Sequence, residues 1–414
     1  MFTFVWKSAL QMKQDIAALA YQLAAGQLES MIAHRRHLHR HPELSFMEEQ
    51  TAAYIARALQ LPGLEVRSGI SGHGLVAILH GEGGQGSCIA LRADMDALPI
   101  EEDSAASYKS VNHGVMHACG HDAHMAMLLG AINILHQLRA HFSGTVKCIF
   151  QPAEEQLPGG ARAMMAAGVL KRPDVDAIIA LHVSPDMPAG TLGFCPGPFM
   201  ASGDEINIRV FGKGGHAALP DKNDDVVLAA AQILVDLQHL ISRKTPPTLP
   251  AVLSFGRFIA GGAHNILPDE ALLQGTFRTF DEDFRSRAKA LIRQIATQTA
   301  RAHGVEAEVM ITDGYPVLIN EPKLTRRLQE LSVNLFGQDM VKNLGLRMTT
   351  EDFAYYTQEI PACFVRLGSG NHAMGISAGL HSPRFDIDET AMQTGAAMLA
   401  ASALTLLQEG FSAQ

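Results

Sequence analysis

Three adjoining stretches between residues 88 and 151 decide the fold: CIALRAD (88–94), MAMLLGAINILHQL (125–138) and TVKCIFQ (145–151). The first and third are short and contain Val and Ile, which is typical of strands that are buried on both faces. The middle stretch repeats apolar residues at helical spacing. Short strands that alternate with helices predict an α/β domain with a mostly parallel, largely buried central sheet.

The pattern continues on both sides of this segment. GLVAILH (74–80) and AIIALHV (177–183) have the same short apolar texture, and TAAYIARALQ (51–60) has helical spacing. Functional sites of such sheets lie at the carboxyl ends of the strands. Polar residues that follow these strands are therefore the candidates for a site.

The pattern of apolar residues changes around Pro196-Gly197-Pro198. DEINIRVFG (204–212) alternates with period two, and DVVLAAAQILVDLQHLISR (225–243) has the pattern of a long amphipathic helix. Further strands follow, and a second helix covers about 284–303. We expect residues 199–312 to form a compact α+β domain of two helices and about four strands.

Helical and short-strand texture returns after this block. The remaining chain, about 100 residues long, is short for an independent domain, so we expect it to complete the first one. The predicted organisation is a domain made of residues 1–198 and 313–414, with the domain of residues 199–312 inserted into it.

The composition argues against nucleic-acid and membrane partners. The net charge of -9 at pH 7 gives no basic surface for nucleic acid, and no run of about 18 apolar residues predicts a membrane span. MFTFVWKSALQMKQ (1–14) lacks the basic leader and the apolar core of a signal peptide, and Met12 is an alternative start. We expect a cytoplasmic protein.

The five cysteines, at positions 88, 119, 148, 195 and 363, are odd in number and show no paired spacing. This pattern argues against a disulfide framework and fits a reducing compartment. We expect four of them to be core thiols, because only Cys119 has polar neighbours.

Cys119 lies in HACGHDAH (117–124). A thiolate and an imidazole at the spacing of Cys119 and His121 can reach one metal ion or two adjacent ones, and the glycine between them removes a side chain from the turn. Asp122 is a candidate N-cap for a helix that starts near His124. The alternative is a buried thiol beside exposed histidines.

A pair of carboxylates, Glu154 and Glu155, follows the strand TVKCIF in the segment QPAEE (151–155). Metal-assisted hydrolysis needs one carboxylate as a ligand and another that takes a proton from the attacking water, and this pair could supply both. A glutamate pair on the surface is the alternative.

Two single histidines complete the candidate set: His182 closes AIIALH, and His381 lies in GLHSPRFD. Each alone is compatible with a capping or structural role. Together with Cys119, His121 and one glutamate they make five potential ligands, more than one tetrahedral zinc ion uses. The sum favours a two-metal site.

Asp94 and Asp96, in LRADMDALP, follow another strand and point to the same face. They either orient a ligand histidine or a water molecule, or they form a polar turn.

Three polar residues stand out in the predicted inserted domain. His216 lies on the glycine-rich loop GKGGHAALP, and Asn265 precedes Arg278 by thirteen residues. Arg278 shares a strand face with Leu272, Gln274 and Thr276, and so points away from the apolar core. It is either solvated or faces a substrate carboxylate in bidentate geometry.

A series of motifs in order, from about residue 30 to about 390, resembles the metallopeptidase family of aminoacylases, glutamate carboxypeptidases and IAA-amino acid hydrolases. The amidohydrolase branch that includes hippurate hydrolase is the most similar. The motifs are RRHLHRHPELSF, LRADMDALP, MHACGHDAH, QPAEE, ALH, GKGGHAALP, HNILPDEALLQGTFRTF, TTEDFAYY and GLHSP.

The resemblance implies a zinc-peptidase-like catalytic domain that holds two divalent metal ions (Zn, Mn, Co or Ni) and an inserted lid domain. Such proteins commonly dimerise through the lid, so a homodimer is expected, with a tetramer as the alternative. Glu154 matches the general base, His216 the lid histidine that can complete the partner's site, and Asn265 and Arg278 positions that hold the substrate's oxyanion or carboxylate. The matching metal ligands are Cys119, His121, Glu155, His182 and His381, whereas His117 and His124 are expected to support them.

The implied activity is hydrolysis of small N-acyl amino acids such as hippurate. A dipeptidase or an N-acetyl-diaminopimelate-type deacetylase would use the same metals, and a catalytically silent metal-binding protein would share the fold. A cysteine hydrolase that uses Cys119 would leave Glu155 and two histidines without a role. Departures from the family's usual motifs at residues 156–158 and 349–350 leave the acyl-group specificity open.

Overall fold

The computed structural model describes residues 16–410, so the expectations for residues 1–14 lie outside the described part of the chain. The chain folds into two compact units. The first consists of the described residues up to Gly197, Ile319–Gly345 and the residues from Tyr355 onward. The second consists of Pro198–Leu318 and Leu346–Ala354.

The boundary expected at residue 312 falls inside a strand. Glu306–Asp313 is a continuous strand of the second unit, and the carbonyl of Tyr315 beyond it accepts a hydrogen bond from the amide of Gly203 at 3.0 Å. The chain after residue 312 is therefore held to the second unit by backbone hydrogen bonds. As a result, the expected third segment, residues 313–414, is divided between the two units.

The described chain contains both helices and strands. The helices are α1 (Ile16–Ala25), α2 (Leu28–Arg40), α3 (Glu49–Ala58), α4 (His121–Gln137), α5 (Gly160–Ala166), α6 (Val226–His239), α7 (Glu282–Ala302), α8 (Pro322–Phe336), α9 (Ala354–Thr357) and α10 (Ala391–Glu409). The strands are β1 (Leu64–Ile70), β2 (Gly74–His80), β3 (Cys88–Asp94), β4 (Thr145–Gln151), β5 (Ala177–Pro188), β6 (Leu192–Phe194), β7 (Gly197–Met200), β8 (Ser202–Phe211), β9 (Gly215–His216), β10 (Ala251–Ala260), β11 (Ile266–Leu267), β12 (Glu270–Thr279), β13 (Glu306–Asp313), β14 (Leu318–Asn320), β15 (Val341–Asn343) and β16 (Ala362–Gly370).

An eight-stranded sheet forms the centre of the first unit, in the order β1-β2-β4-β3-β5-β16-β6-β15. The four strands in the middle, β4, β3, β5 and β16, are parallel to one another, and antiparallel pairings flank them. Every residue of β3, β4 and β16 is buried. This is the mostly parallel, buried sheet that the sequence predicts.

Helices α2, α4 and α10 pack together over one face of this sheet. Helix α4 is buried on almost all sides, and a Cβ on its Gly130 would lie 2.5 Å from Met31 Sδ of α2, so glycine permits the close approach. The packing brings the first residue of α4, His121, to the carboxyl end of β3, where its Nδ1 lies 2.9 Å from Asp96 O.

The second unit is built on a four-stranded antiparallel sheet in the order β10-β12-β8-β13, against which α6 and α7 pack. Along β12 the buried residues are Ala271, Leu273, Phe277 and Thr279, and the half-buried ones include Leu272, Gln274, Thr276 and Arg278. This alternation agrees with the predicted faces of the strand. The short strands β9 and β11 form a separate ribbon.

One helical stretch of the described residues, Val226–Lys244, is long and apolar enough to cross a membrane by length and composition, whereas the sequence predicts no span. It contains α6, whose buried residues Val226, Ala229, Ala230 and Ile233 belong to the core of the second unit. Part of its apolar surface is therefore used in packing against α7 and β12.

Candidate metal centre

The five predicted metal ligands come together in the first unit. Their donor atoms form two groups, each with its atoms within 4.8 Å of one another: Cys119, His121 and His182 in one, and Cys119, Glu155 and His381 in the other. Cys119 is common to both groups. These residues would therefore suit two adjacent cations.

Gly120 places Cys119 and His121 on either side of the start of α4. It has φ +83°, a left-handed conformation that favours glycine, and a Cβ there would overlap the side chain of Val183. The helix consequently begins at His121, three residues before the start predicted near His124. The two ligands leave the turn in directions that converge on the same site.

His121 is fully buried and is oriented by Asp96. Its Nδ1 lies 2.9 Å from Asp96 O and 3.2 Å from Asp96 Oδ1, whereas its Nε2 has no hydrogen-bond partner in the described chain. Burial opposes protonation, but Asp94, Asp96 and Glu155 raise the pKa of His121 to about 10. A histidine backed by a carboxylate, with its other nitrogen available, is the usual arrangement of a metal ligand.

Glu154 and Glu155 lie in the turn after β4. The amide of Glu155 donates to Asp96 Oδ2 at 2.9 Å, and its buried Oε1 lies 3.8 Å from His121 Nε2 and 3.4 Å from His381 Nε2. Glu154 is 6% exposed, and its carboxylate lies within 4.8 Å of the donor atoms of His121 and Glu155. Glu155 thus belongs to a candidate ligand group, and Glu154 lies beside both groups.

His182 and His381 come from different parts of the fold. His182 lies on β5, with Nδ1 2.7 Å from Val183 O and Nε2 3.4 Å from Cys119 Sγ. His381 lies in the loop after β16 in a left-handed conformation (φ +62°), and its amide donates to Ala118 O at 2.8 Å. A non-glycine residue keeps such a conformation only where its surroundings hold it there.

Both ring nitrogens of His124 are engaged, which is compatible with the supporting role expected for this residue. Nδ1 lies 2.6 Å from Asp94 Oδ1, and Nε2 accepts a hydrogen bond from the amide of Val183 at 3.0 Å. Asp94, which also accepts from Arg92 Nη1 at 2.6 Å, thus contacts a histidine outside the predicted ligand set, whereas the sequence suggests that it orients a ligand histidine or a water molecule, or forms a polar turn. His117 is buried outside both ligand groups, and burial lowers its pKa to about 4.

The chemistry of the centre fits bound cations. His121 Nε2 and Glu155 Oε1 are buried polar atoms that lack a hydrogen-bond partner among the described residues, which costs free energy unless a cation or a proton satisfies them. Burial and the charges of Glu155 and Glu154 raise the pKa of the Cys119 thiol well above its ordinary value, so its thiolate requires positive charge nearby. Thiolate, imidazole and carboxylate together suit several divalent transition metals.

The sequence matches the model of peptidase family M20/M25/M40 over residues 90–405. The chain belongs to this family. It is 38% identical to the N-acetyl-L-cysteine deacetylase of Bacillus subtilis (strain 168), over 92% of this chain and 88% of that protein. It is 45% identical to the N-acyl-L-amino acid amidohydrolase of Geobacillus stearothermophilus, over 70% of this chain and 78% of that protein.

A solved structure points to the same family and to the same fold. The YXEP protein of Bacillus subtilis, described as a dinuclear metal binding peptidase from the M20 family, is 35% identical, with a TM-score of 0.78 over 92% of this chain and 99% of that chain. The predicted family and the predicted α/β class are confirmed. This member of the M20/M25/M40 family is a metal-dependent hydrolase of amide bonds.

The three residues predicted in the inserted domain lie in the second unit of this M20/M25/M40 peptidase. His216 in β9 and Asn265 just before β11 are neighbours, since the amide of Ala217 donates to Asn265 O at 3.0 Å, and both are exposed. Arg278 is half-buried on β12, and its Nη1 donates to Met348 O at 2.7 Å. His216 and Asn265 are therefore neighbours on the ribbon of β9 and β11, and Arg278 lies on the four-stranded sheet.

A buried charged network behind α4 was not predicted. Arg35 Nε lies 2.9 Å from Asp122 Oδ2, Arg35 Nη2 lies 2.6 Å from Asp386 Oδ1, and His39 Nδ1 lies 2.8 Å from Asp122 Oδ2. Asp122 thus anchors the first turn of α4 from behind, whereas the sequence suggests an N-cap. The motif RRHLHRHPELSF contains Arg35 and His39, but their partners are at least 63 residues away, so local spacing could not connect them.

Proposed function

We propose that this peptidase family member hydrolyses the amide bond of N-acyl amino acids such as hippurate, releasing a carboxylic acid and an amino acid. The geometry around Cys119 carries the proposal. Two ligand groups share this thiol, and Glu154, a carboxylate outside both, lies beside them. Amide hydrolysis by a two-metal centre uses this combination of cation positions and an adjacent base. Relatives named for acyl amino acids support the substrate class.

The proposed ligands of two divalent cations are Cys119, His121, Glu155, His182 and His381. Bound cations supply the positive charge that polarises the substrate carbonyl and acidifies a water molecule. Zinc, manganese, cobalt and nickel are all compatible with the mixture of sulfur, nitrogen and oxygen donors. Asp96 holds the ring of His121, and Asp94 holds His124 against the backbone of Val183.

Glu154 is the proposed general base and acid. Its carboxylate takes the proton of the attacking water, keeps it while the carbonyl carbon is tetrahedral, and delivers it to the amine nitrogen as the carbon–nitrogen bond breaks. Burial of this side chain limits proton exchange with bulk water. The neighbouring Glu155 is oriented separately by the hydrogen bond from its amide to Asp96.

His216, Asn265 and Arg278 are proposed to bind the substrate. Donors such as His216 and Asn265 stabilise the negative charge that develops on the carbonyl oxygen, and their adjacency on one ribbon supports a shared role. They act either in their own subunit or in that of a partner. The guanidinium of Arg278 keeps donors beyond its bond to Met348 O, and a substrate α-carboxylate would accept them in bidentate geometry.

A cytoplasmic homodimer formed through the second unit is part of the proposal. Helix α6 exposes Leu228 and Val235 (56% and 60%), and the edge strand β10 exposes Phe258 and Ile259 (both 41%). An edge strand with exposed apolar side chains is a surface suited to pairing with another subunit.

The cytoplasmic location is proposed from the cysteines. All five are free and buried, which fits a reducing compartment.

The proposal is tested by measuring amine release after the protein has been stripped with a chelator and supplied with Zn, Mn, Co or Ni. N-benzoylglycine and N-acetyl amino acids should be hydrolysed only when metal is restored. Cleavage of dipeptides alone would favour the dipeptidase alternative, and hydrolysis of neither class would contradict the proposed substrates. Cys119→Ala should lose metal and activity, whereas Cys148→Ala, at a buried thiol outside both ligand groups, should retain them.

A further inference from the structure

Glu48 is a buried carboxyl group that the mechanism above does not use. It directly precedes α3 and is 0% exposed. Its Oε1 accepts hydrogen bonds from the amide of Ala153 at 2.8 Å and from the amide of Phe46 at 3.1 Å. One oxygen atom thus connects the loop before α3 with the turn that carries the two glutamates of the centre.

Both amides belong to residues in the left-handed region of backbone conformation. Ala153 has φ +54° and Phe46 has φ +67°. For any residue that has a Cβ atom, this backbone conformation costs free energy, so the surrounding structure must hold the residue there. Glu48 therefore binds two backbone positions that would relax if their amides were released.

Ala153 directly precedes Glu154, and both its amide and its carbonyl are hydrogen-bonded. Its amide is bound by Glu48, and its carbonyl accepts a hydrogen bond from the amide of Gly160 at 2.8 Å. The direction in which Glu154 leaves the turn depends on the backbone angles of the residue before it. A change of Ala153 to right-handed angles would displace the carboxylate of Glu154.

We propose that Glu48 is a positioning residue for this peptidase: by binding the amide of Ala153 it keeps that residue left-handed and so directs Glu154 toward the metal centre. The inference rests on the proposed role of Glu154 as general base. Burial and the charge of Asp96 raise the pKa of Glu48 to about 7, so an ionised carboxylate is costly at this place.

The test compares Glu48→Ala with Glu48→Gln, whose amide oxygen can still accept the hydrogen bond from Ala153. Glu48→Ala should lower kcat by about 10- to 100-fold, as loss of a supporting hydrogen bond at a metal centre typically does, with little change in KM. Glu48→Gln should stay close to the wild type. Ala153→Gly in the Glu48→Ala background should restore part of kcat, because glycine adopts a positive φ without the anchor.

Hydrogen exchange of the peptide around residues 152–156 and the content of bound metal give readouts that do not need a substrate. Glu48→Ala should accelerate exchange there, and Glu48→Gln should not. If the wild type hydrolyses no N-acyl amino acid, the proposed substrate class fails, while the exchange data still decide the role of Glu48. Equal effects of Ala and Gln at position 48, or no recovery in the double variant, would overturn the inference. Should Glu48→Ala not fold, Glu48→Asp replaces it, because its shorter carboxylate draws back from Ala153.

Discussion

Glu154 and Glu155 are adjacent in sequence but differ in their surroundings. Glu155 Oε1 belongs to a ligand group with Cys119 and His381, whereas Glu154 stands beside both groups. We predict that Glu154→Gln lowers turnover by about 100- to 10,000-fold, the usual contribution of a general base, while bound metal is retained. Glu155→Gln should lose metal. Kinetics and elemental analysis of both variants measure this, and metal loss from Glu154→Gln would exchange the two roles.

The role proposed for Arg278 is substrate binding, which can be measured separately from the chemical step. We predict that Arg278→Ala raises KM for substrates with a free α-carboxylate much more than for the corresponding amides, because only the former lose a charged partner. Arg257→Ala serves as the matched control, since this exposed arginine binds Gln274 Oε1 on the neighbouring strand. Equal effects on acids and amides would remove Arg278 from the substrate site.

Glu48 should also give folding an unusual dependence on pH. Burial, followed by the charge of Asp96, raises its pKa from 4.5 to about 7. The folded chain therefore binds more protons here than the unfolded chain between these values, and stability falls as the pH rises through this window. Relative to the wild type, Glu48→Gln should gain stability from pH 4.5 to pH 7 and stay level above it. Urea unfolding at a series of pH values measures the difference, and a constant difference would refute the prediction.

The residue types at the centre could be predicted because their signals are local. Cys119 and His121 stand two residues apart in one short motif, the glutamate pair follows the end of β4, and their chemistry suggests a metal site without knowledge of the fold. Glu48 and Arg35 could not be found in this way, since Glu48 is 105 residues from Ala153 and Arg35 is 351 residues from Asp386. Their contacts depend on how the chain is folded.

The ends of helices and strands are harder to predict than their bodies, because they depend on more than the spacing of apolar residues. Periodicity places the body of α4 correctly but not its beginning, because the left-handed Gly120 starts the helix at His121. Apolar spacing carries no information about such a turn. The boundary expected at residue 312 lies one residue before the end of β13 at Asp313, and the end of a strand depends on its pairing with another strand, here β8, which local spacing does not show.

Strand β4 contains a buried lysine whose loss should destabilise the first unit. Lys147 is 1% exposed, and its Nζ donates to the carbonyls of Val169, Lys171 and Pro173 at 2.8 to 3.0 Å. We predict that Lys147→Met lowers the free energy of unfolding by about 1–3 kcal/mol, because buried carbonyls lose their donor. Denaturant unfolding measures the loss. Lys171→Met, at an exposed side chain, is the control, and an equal loss in both would contradict the assignment.

The state of the whole molecule in solution depends on the second unit. Leu228 and Val235 on α6 are exposed on the surface proposed for dimerisation. We predict that the double variant Leu228→Glu and Val235→Glu shifts the protein to monomers, because burial of these charges in an interface is costly. Sedimentation velocity measures the change. Met374→Glu, at a 68% exposed residue of the first unit, should leave the dimer intact, and monomers in both cases would disprove a specific interface.

The order of strands in the large sheet has a consequence for synthesis. Strand β16 lies between β5 and β6, although 173 residues separate the end of β5 from the start of β16 along the chain. At typical rates of translation, about 10 to 40 s pass between the emergence of β5 and that of its neighbour. During this time the backbone edge of β5, which carries His182, has no partner strand and is open to wrong pairing. A ribosome-bound chain therefore has to protect this edge, and the proposed metal centre can form only when the segment with β16 and His381 has been synthesised.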